Sequence, residues 1–457
     1  MKKILIANRG EIAVRVIRAC QELGIRTVAV HSTEDRDSLH AKLADESICI
    51  GPGPSAKSYL SIPTIMSAAE VAGVDGIHPG YGFLSESAQF AHVCGQYGIK
   101  FIGPKVEHIR ALGNKVEARA IAEKAGVPLF PGSRGVVKSE REALALAEEI
   151  GFPLIIKAAA GGGGRGMKVV NAAAELPKMF RLAQSEAEAG FGNADCFIER
   201  YCAQPRHIEV QLIADEHGQI THLGERECSI QRRHQKLIEE SPSVALDSKM
   251  RAKLGETAVR LAAAVGYQSL GTAEFLMDTD GRFYFMEVNT RLQVEHPVTE
   301  LVTGIDLVKE QIRIALGEKL PDYVLKGWQN MRGHALECRI NAEDPYTFAP
   351  WPGKITAYHE PGGPGVRLDS MVYAGYKVSS FYDSMIAKLI TFGRDRQESI
   401  SRMRRALGEL KIDGIRTNAA FHLRVLDDPR FIAGDISTRF LDSFLQQGKT
   451  PMAEGAK

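Results

Sequence analysis

The sequence predicts a multidomain fold of the α/β and α+β classes, with an open sheet flanked by helices first and largely antiparallel sheet after it. Three observations support this prediction: the length, an early alternation of strands and helices, and a later change to hairpins. The 457 residues exceed what one hydrophobic core accommodates, and at about 150 residues per domain they divide into about three units. A composition of 44% hydrophobic and 25% charged residues is that of ordinary globular domains.

A strand, a helix and a second strand open the chain, and a similar alternation follows at 76–102. The first three elements are predicted at residues 4–7, 11–23 and 27–30. Together the two alternations predict a doubly wound open sheet. The turn at 8–13 lacks the G-x-G-x-x-G spacing with which a backbone approaches a pyrophosphate, so a nicotinamide cofactor is not expected. That turn suits a plain connection and a functional contact equally well.

Composition and charge exclude several classes of function. A net charge of +1 gives no long-range field for polyanions, so nucleic acid is not an expected partner. No apolar stretch approaches the ~20 residues that cross a bilayer, and the N-terminus lacks a signal peptide pattern. A cytoplasmic location without a membrane partner is therefore expected. The seven cysteines show no C-x-x-C spacing, which predicts reduced and mostly buried thiols.

A glycine-rich run follows a strand that ends in lysine. Lys157 closes the apolar strand 154–157, the glycines begin at 161, and a second strand is predicted at 167–170. Glycines without Cβ let backbone amides close around phosphate oxygens. The run does not end in Gly-Lys-Ser/Thr and a strand follows it, so it is not a Walker A loop. A flexible linker is the alternative, but the flanking strands favour a phosphate-binding flap.

Two carboxylates, Glu274 and Glu287, are predicted to lie opposite each other across a hairpin whose turn is 278–281. Converging carboxylates suit Mg²⁺, which takes a few oxygen ligands and completes its shell with phosphates and water. Without an ion, a cross-strand acidic pair would repel. The two glutamates therefore predict a magnesium site. An alternating pattern from residue 207 onward indicates that this whole region is antiparallel sheet.

A row of alternating polar side chains continues from Glu287. If the chain stays extended, the two-residue period of a strand places five side chains on one face. They are Glu287, Asn289, Arg291, Gln293 and Glu295. A solvated strand face gives the same alternation and is the alternative. Because proline cannot donate to a strand ladder, His296-Pro297 is expected to end the run.

Long motifs over nearly the whole chain are similar to those of one enzyme family. The glycine flap resembles that of the ATP-grasp superfamily, and longer motifs resemble its biotin carboxylase branch. These motifs lie at 6–11, 78–86, 225–236, 287–295 and 381–385. The resemblance implies a Rossmann-like open sheet, then an ATP-grasp domain with a glycine-rich lid, then a mixed C-terminal domain. The implied boundaries are 1–114, 115–317 with the lid at about 131–203, and 333–445.

By this resemblance, ATP lies between two subdomains under the flap. The resemblance assigns ATP contacts to Lys115, Lys157, Gly163, Gly164, Glu199, Arg200, Tyr201, Cys202, His207, Gln231 and His234. It assigns magnesium or manganese to Glu274, Glu287 and Asn289. Residues 199–202 would form the hinge that contacts adenine. From the residues alone, Glu199 is as easily a surface carboxylate and His207 an ordinary hairpin residue.

The implied reaction has two steps. Bicarbonate attacks the γ-phosphate of ATP to give carboxyphosphate, which then carboxylates a biotin nitrogen on a carrier. The resemblance assigns bicarbonate binding to Lys236, Arg291, Gln293, Val294 and Glu295. Glu295 would be the general base, a role that requires a carboxylate within hydrogen-bond reach of the anion. Arg339 would stabilise the enolate-like biotin that forms when its nitrogen loses a proton.

The partners follow from a missing motif and from the resemblance. The sequence contains no Ala-Met-Lys-Met biotin-attachment motif, so the biotin carboxyl carrier protein and the carboxyltransferase are expected to be separate subunits. The resemblance implies a homodimer. The expected parent enzyme is an acetyl-CoA carboxylase of fatty acid biosynthesis, and a two-subunit carboxylase of pyruvate or another acid is the alternative. Two different functions compete with biotin carboxylation: an ATP-grasp ligase for another carboxylate, and a catalytically silent nucleotide-binding regulator.

Overall fold

A computed structural model describes residues 1–159 and 167–447. The N-terminal part is a five-stranded parallel sheet. Its strands are β1 Lys3–Ile6, β2 Arg26–His31, β3 Glu46–Cys49, β4 Gly76–His78 and β5 Lys100–Phe101, in the spatial order β3-β2-β1-β4-β5. Its helices are α1 Gly10–Glu22, α2 Leu39–Leu43, α3 Ile62–Ala72, α4 Ala88–Gln96 and α5 Val106–Gly113. The predicted doubly wound sheet is confirmed.

The strand order reverses between β1 and β4, and the loops that follow these two strands meet at that point. Asn8 Nδ2 donates to the carbonyl oxygens of Pro79 and Tyr81, at 2.7 Å each. Gly80 lies at φ 61°, and a Cβ there would stand 3.0 Å from Asn8 Nδ2, so the close approach requires glycine. Open α/β sheets bind ligands at such reversal points. The turn at 8–13 thus supports a loop whose Tyr81 and Gly82 line a large cavity.

A separate small sheet forms the predicted lid region. Helix α6 Lys115–Lys124 precedes it, and the Asn114 side chain caps this helix by accepting from the backbone N–H groups of residues 116 and 117. The lid contains α7 Glu140–Ile150, β6 Leu154–Ala158, β7 Lys168–Val170, α8 Leu176–Phe191 and β8 Cys196–Arg200, with the strand order β7-β6-β8. The predicted flap at 161–166, which includes Gly163 and Gly164, lies outside the described residues.

An eight-stranded antiparallel sheet forms the body of the molecule, in the order β13-β12-β9-β10-β11-β14-β19-β17. Its first five strands in the chain are β9 Arg206–Ala214, β10 Ile220–Arg232, β11 Gln235–Ser241, β12 Ser269–Met277 and β13 Phe283–Asn289. Four helices accompany them: α9 Ser248–Ala263, α10 His296–Thr303, α11 Leu307–Ala315 and α12 Asp322–Leu325. The predicted β12–β13 hairpin is confirmed, and β9 and β10 form a second hairpin in the region predicted to be antiparallel sheet.

The C-terminal part adds strands to the same sheet. Its strands are β14 His334–Asn341, β15 Gly353–Lys354, β16 Ala357–His359, β17 Val366–Ser370, β18 Lys377–Val378, β19 Met385–Gly393 and β20 Lys411–Asp413. Its helices are α13 Arg396–Glu409, α14 Ala419–Leu426, α15 Pro429–Ala433 and α16 Phe440–Gln447. Strand β14 pairs with β11, so one sheet contains strands from both sides of the boundary expected near residue 333. The domain limits therefore stay predictions.

One expectation about local geometry is wrong. The segment 287–295 does not stay extended: β13 ends at Asn289, the chain turns, and Glu295 immediately precedes α10. Pro297 does not end a strand but lies in the first turn of α10, where a missing N–H costs nothing. The one-face argument for the five polar side chains therefore fails.

Two expectations drawn from composition agree with the structure. All seven cysteines are unpaired thiols and five of them are buried. No helix within the described ranges has the length and apolar character required to cross a membrane.

Candidate active site

A large cavity of about 740 Å³ lies where the N-terminal sheet, the lid and the eight-stranded sheet meet. Most residues that the sequence nominated line its wall. They are Lys115, Lys157, Glu199, His207, Gln231, His234, Lys236, Glu274, Glu287, Asn289, Arg291, Gln293, Val294, Glu295 and Arg339. The structure thus brings the predicted nucleotide, metal, bicarbonate and biotin residues into one cavity.

Three nominated residues lie beside the cavity instead of in its wall. Arg200, Tyr201 and Cys202 follow Glu199 at the end of β8 and are absent from the lining. Backbone hydrogen bonds hold two of them, from Arg200 N to Pro131 O at 2.8 Å and from Tyr201 N to Pro153 O at 2.9 Å. Their role as an adenine hinge stays a prediction.

Lys236 is the centre of the most buried part of the site. It lies near the start of β11, and its Nζ donates to Glu209 Oε2 at 2.5 Å, Glu295 Oε1 at 2.7 Å and Glu274 Oε1 at 2.9 Å. Burial lowers the pKa of Lys236, but these carboxylates outweigh burial and hold the pKa well above its usual range. Lys236 is therefore a permanent cation among carboxylates.

Glu295 is fully buried and contacts two cations. Its Oε1 accepts from Lys236, and its Oε2 accepts from Arg339 Nη2 at 3.0 Å. Burial raises the pKa of Glu295, but Lys236, Arg339 and the buried Arg226 outweigh it and hold the pKa well below its usual range. The side chain is thus a carboxylate at neutral pH, and its two cationic partners make it a weak base in the free protein.

The bend after β13, not a straight strand, gathers the remaining polar groups. Arg291 Nη1 donates to Gln293 Oε1 at 2.8 Å, and Arg291 Nη2 donates to Asn289 Oδ1 at 3.1 Å. Its Nε donates to Glu86 Oε2 at 2.9 Å, which ties the bend to the N-terminal part. Asn289 Nδ2 and Gln293 Nε2 in turn donate to Glu274 Oε1, at 2.9 and 3.3 Å. The predicted grouping is correct although its predicted geometry is not.

The predicted metal residues form a donor set that fits magnesium. Glu274 and Glu287 are direct partners in the β12–β13 pairing, as the hairpin pattern predicted. Partial burial in the cavity is the main cause that raises the pKa of Glu287, and the like charge of Glu274 raises it further. A bound divalent cation relieves that repulsion. His207 Nε2 lies 3.0 Å from Glu274 Oε2, and Lys115 Nζ lies 4.0 Å from Glu287 Oε2.

Lys157 and Glu199 face each other at the lid side of the cavity. Lys157 Nζ donates to Glu199 Oε2 at 2.5 Å, and Arg119 also contacts Glu199. Glu199 is 3% exposed, so the alternative of a surface carboxylate is wrong. His207 is a hairpin residue on β9, and it also lines the cavity.

The sequence did not identify several residues that the structure places in or beside the site. Arg119 follows Lys115 by four positions on α6, so the i, i+4 spacing of a helix face could have identified it. Glu209 follows His207 by two positions on β9, which is the same-face spacing of a strand. Arg226 faces Glu209 across the β9–β10 hairpin, so the register of that hairpin could have identified it. Glu239 gave no local signal, because its contact with Arg339 joins strands that are distant in the sequence.

Three family models match the chain in order. They are "Biotin carboxylase, N-terminal domain" at residues 1–109, "Carbamoyl-phosphate synthase L chain, ATP binding domain" at 114–323 and "Biotin carboxylase C-terminal domain" at 337–443. The biotin carboxylase of Nostoc sp. is 57% identical over 443 residues, which are 96% of this chain and 98% of that protein. The chain belongs to the biotin carboxylase family.

Solved structures support the same assignment. The biotin carboxylase from Campylobacter jejuni, in a β,γ-ATP complex, is 50% identical with a TM-score of 0.93, covering 97% of this chain and 98% of that one. The biotin carboxylase domain of Hydrogenobacter thermophilus 2-oxoglutarate carboxylase is a dimer in complex with MgADP, ADP and bicarbonate. It is 45% identical with a TM-score of 0.92, covering 97% of each chain.

Family membership confirms several predictions together: the fold class, an ATP-dependent ligase, and ATP, magnesium and biotin as cofactors and substrate. Only the central region matches the carbamoyl-phosphate synthase model, and the two flanking regions match biotin carboxylase. A different ATP-grasp ligase and a silent nucleotide-binding regulator are therefore not supported.

Proposed function

We propose that this chain carboxylates biotin on a separate biotin carboxyl carrier protein, with bicarbonate as the carbon source and ATP as the activating substrate. The observation that carries the proposal is the arrangement of Lys236, Glu295 and Arg339 at one end of the cavity. It combines a carboxylate that stays ionised with two cations that can hold a small anion beside it. Family membership supports the same chemistry.

The phosphates of ATP bind toward Lys115, Lys157 and His207, with the lid above them. Glu274, Glu287 and Asn289 would hold Mg²⁺, which neutralises phosphate charge when bound. Gln231 lies near the end of β10, and His234 lies in the turn between β10 and β11. Both complete the part of the cavity wall that faces the nucleotide. Closure of the lid excludes water that would otherwise hydrolyse carboxyphosphate.

In the first step, Lys236, Arg291 and Gln293 hold bicarbonate with the backbone of Val294, and Glu295 takes its proton. A carbonate oxygen then forms a bond to the γ-phosphorus, the bond to the bridging oxygen of ADP breaks, and carboxyphosphate results. The negative charge of bound bicarbonate partly neutralises the cations around Glu295, so these cations lower the pKa of Glu295 less than they do in the free protein. Its basicity therefore rises when bicarbonate is bound.

In the second step, a ureido nitrogen of biotin loses its proton to the departing phosphate and forms a bond to the carboxyl carbon. The bond from that carbon to the phosphate oxygen breaks. Negative charge develops on the ureido oxygen of biotin during this step, and Arg339 stabilises it. The guanidinium is always charged and presents several N–H donors to one oxygen.

A direct assay tests this function. Purified protein is supplied with MgATP, bicarbonate and free biotin, and both ADP and carboxybiotin are measured. We expect ADP release to require bicarbonate, to be accelerated by biotin, and to accompany carboxybiotin formation. ADP release that is independent of bicarbonate would overturn the proposal.

We further propose that the chain is a homodimer and serves an acetyl-CoA carboxylase with separate carrier and carboxyltransferase subunits. A pyruvate-type parent is the second candidate, because the biotin carboxylase subunit of pyruvate carboxylase is 47% identical with a TM-score of 0.84. Copurification of the native partners, followed by acceptor assays with acetyl-CoA, pyruvate and 2-oxoglutarate, separates these parents. Light scattering of the isolated chain tests the dimer.

A further inference from the structure

Arg339 is held by two carboxylates, of which one is assigned a role in the proposed chemistry. Its Nη2 donates to Glu295, whereas its Nε donates to Glu239 Oε1 at 2.6 Å. The remaining terminal nitrogen, Nη1, makes no hydrogen bond to any described residue. The contact between Arg339 and Glu239 joins neighbouring strands, β14 and β11, and is therefore part of the rigid sheet.

Glu239 cannot act on a substrate directly. It is fully buried, it does not line the cavity, and its strand partner is Glu337. The one hydrogen bond of Glu239 to a described residue is the bond from Arg339, so Arg339 is its direct connection to the reacting groups. Glu239 therefore contacts Arg339 but does not contact the reacting groups.

The proposed first step changes the other side of Arg339. When Glu295 takes the proton of bicarbonate, it becomes neutral and no longer forms an ion pair with Nη2. A guanidinium without a second anchor would then be free to rotate or to follow the anion in the cavity. The stiff contact through Nε keeps the planar group in place while Nη2 is released.

We propose that Glu239 is the positioning residue of Arg339: it fixes the guanidinium through Nε, so that Nη2 passes from Glu295 to the ureido oxygen of biotin between the two half-reactions. This inference rests on the proposed function and adds separate roles for Glu295 and Glu239, the two carboxylates that contact Arg339. Glu295 responds to the first step. Glu239 preserves the geometry for the second.

The adjacent residue provides a matched control. Glu240 is equally buried on β11, but successive strand residues face opposite sides, and its partners are Arg396 Nε at 2.6 Å and His334 Nε2 at 2.8 Å. Glu240→Gln and Glu239→Gln each neutralise one buried carboxylate beside one arginine. Only the second variant disturbs a residue of the cavity.

The test measures the two steps separately in both variants. We expect Glu239→Gln to retain bicarbonate-dependent ATP hydrolysis without biotin near the wild-type rate. We expect it to lower biotin carboxylation by about 10- to 100-fold, the cost of a misplaced catalytic group, and to raise the KM for free biotin. Glu240→Gln should leave both rates close to wild type. Equal losses in the two variants, or an equal loss of both steps in Glu239→Gln, would overturn the inference.

A double variant keeps the test decisive if Glu239→Gln folds poorly. Arg339→Gln with Glu239→Gln removes both charges of the pair, so it leaves no lone buried charge. If Glu239 acts only through Arg339, the double variant should carboxylate biotin at the rate of Arg339→Gln alone. A further loss in the double variant contradicts the inference. Loss of bicarbonate dependence in the wild-type protein would instead count against the proposed function.

The pH dependence gives a third measurement that a merely structural role would not change. Burial raises the pKa of Glu239 to about 7. The charged and titratable groups that face it are Arg339, Glu295, Lys236, Glu337, Cys228 and Cys338. Because the anchor is charged above this pKa, the wild-type advantage over Glu239→Gln in the biotin step should grow as pH rises through about 7. A ratio independent of pH would contradict the role of a charged anchor.

Discussion

The two ends of the cavity are built differently. At the proposed bicarbonate end, the side chains of Glu295 and Lys236 are 0% and 12% exposed. Within hydrogen-bond distance, Lys236 has three charged partners and Glu295 has two. At the metal end, the side chains of Lys115 and Glu287 are 27% and 36% exposed, and their closest approach is 4.0 Å. One end is organised before any ligand arrives, whereas at the other Lys115 and Glu287 remain available to ATP and magnesium although Glu274 is already paired with Lys236 and His207. Catalytic charge stabilisation depends on the first kind of site.

The largest expected effect comes from removing the proposed base at the organised end. Glu295→Gln should lower the bicarbonate-dependent rate by ~10²-fold or more, the usual cost of a lost general base, without abolishing ATP binding. Steady-state kinetics with a parallel measurement of nucleotide binding checks this. Unchanged turnover would remove Glu295 from the role of base.

The next effect tests whether the bend after β13 is part of the organised end. Arg291→Ala removes contacts with Glu86, Asn289 and Gln293, so both half-reactions should fall, by about 10- to 100-fold for a misplaced anion site. ATP hydrolysis is compared with and without biotin. Full biotin-dependent ATPase activity in this variant would show that the bend can be dispensed with.

A smaller effect is expected at the open end. Glu287→Gln should raise the KM for MgATP and should be partly rescued by excess magnesium, because its partner Glu274 remains in place. Titration with magnesium at fixed ATP provides the measurement. A loss of turnover that magnesium cannot restore would mean that both ends are equally preorganised, which contradicts the comparison.

The smallest expected effect concerns stability alone. Burial raises the pKa of Glu337 well above its usual range, although Lys388 opposes the rise, so the folded protein keeps this carboxyl protonated after the unfolded chain has ionised. Stability linked to Glu337 is therefore lost as pH rises, and Glu337→Gln should gain in melting temperature over wild type from pH ~5 upward.

Glu240 should behave in the opposite way. Burial raises its pKa, but His334 and Arg396 outweigh burial and lower it to about 2, so its stabilisation is lost as pH falls. The deficit of Glu240→Gln should be greatest at neutral pH and should shrink in acid. Thermal unfolding of both variants across pH provides the test, and parallel curves would refute it.

Features set by neighbouring residues were predictable from the sequence. The β1–α1–β2 unit and the β12–β13 hairpin follow from local periodicity and turn residues, and the hairpin correctly placed Glu274 opposite Glu287. The bend after Asn289 was not predictable, since alternation alone does not show where a strand ends. Pro297 fits a strand stop and a helix start equally well in sequence.

Features set by distant residues were not predictable. The pairing of β11 with β14 and the contact of Arg339 with Glu239 depend on which strands become neighbours in the fold. The resemblance to a family supplied roles for Lys236 and Arg339. The residues that hold those two in place became visible only in the structure.

The continuous sheet has a consequence for motion during the reaction. Lys236 on β11 and Arg339 on β14 belong to strands joined by a ladder of backbone hydrogen bonds. Relative movement of these two strands would break that ladder, whereas the lid strands form a separate sheet that can move without breaking it. The distance between Lys236 and Arg339, the proposed bicarbonate and biotin residues, should therefore stay constant through a catalytic cycle even if the lid moves.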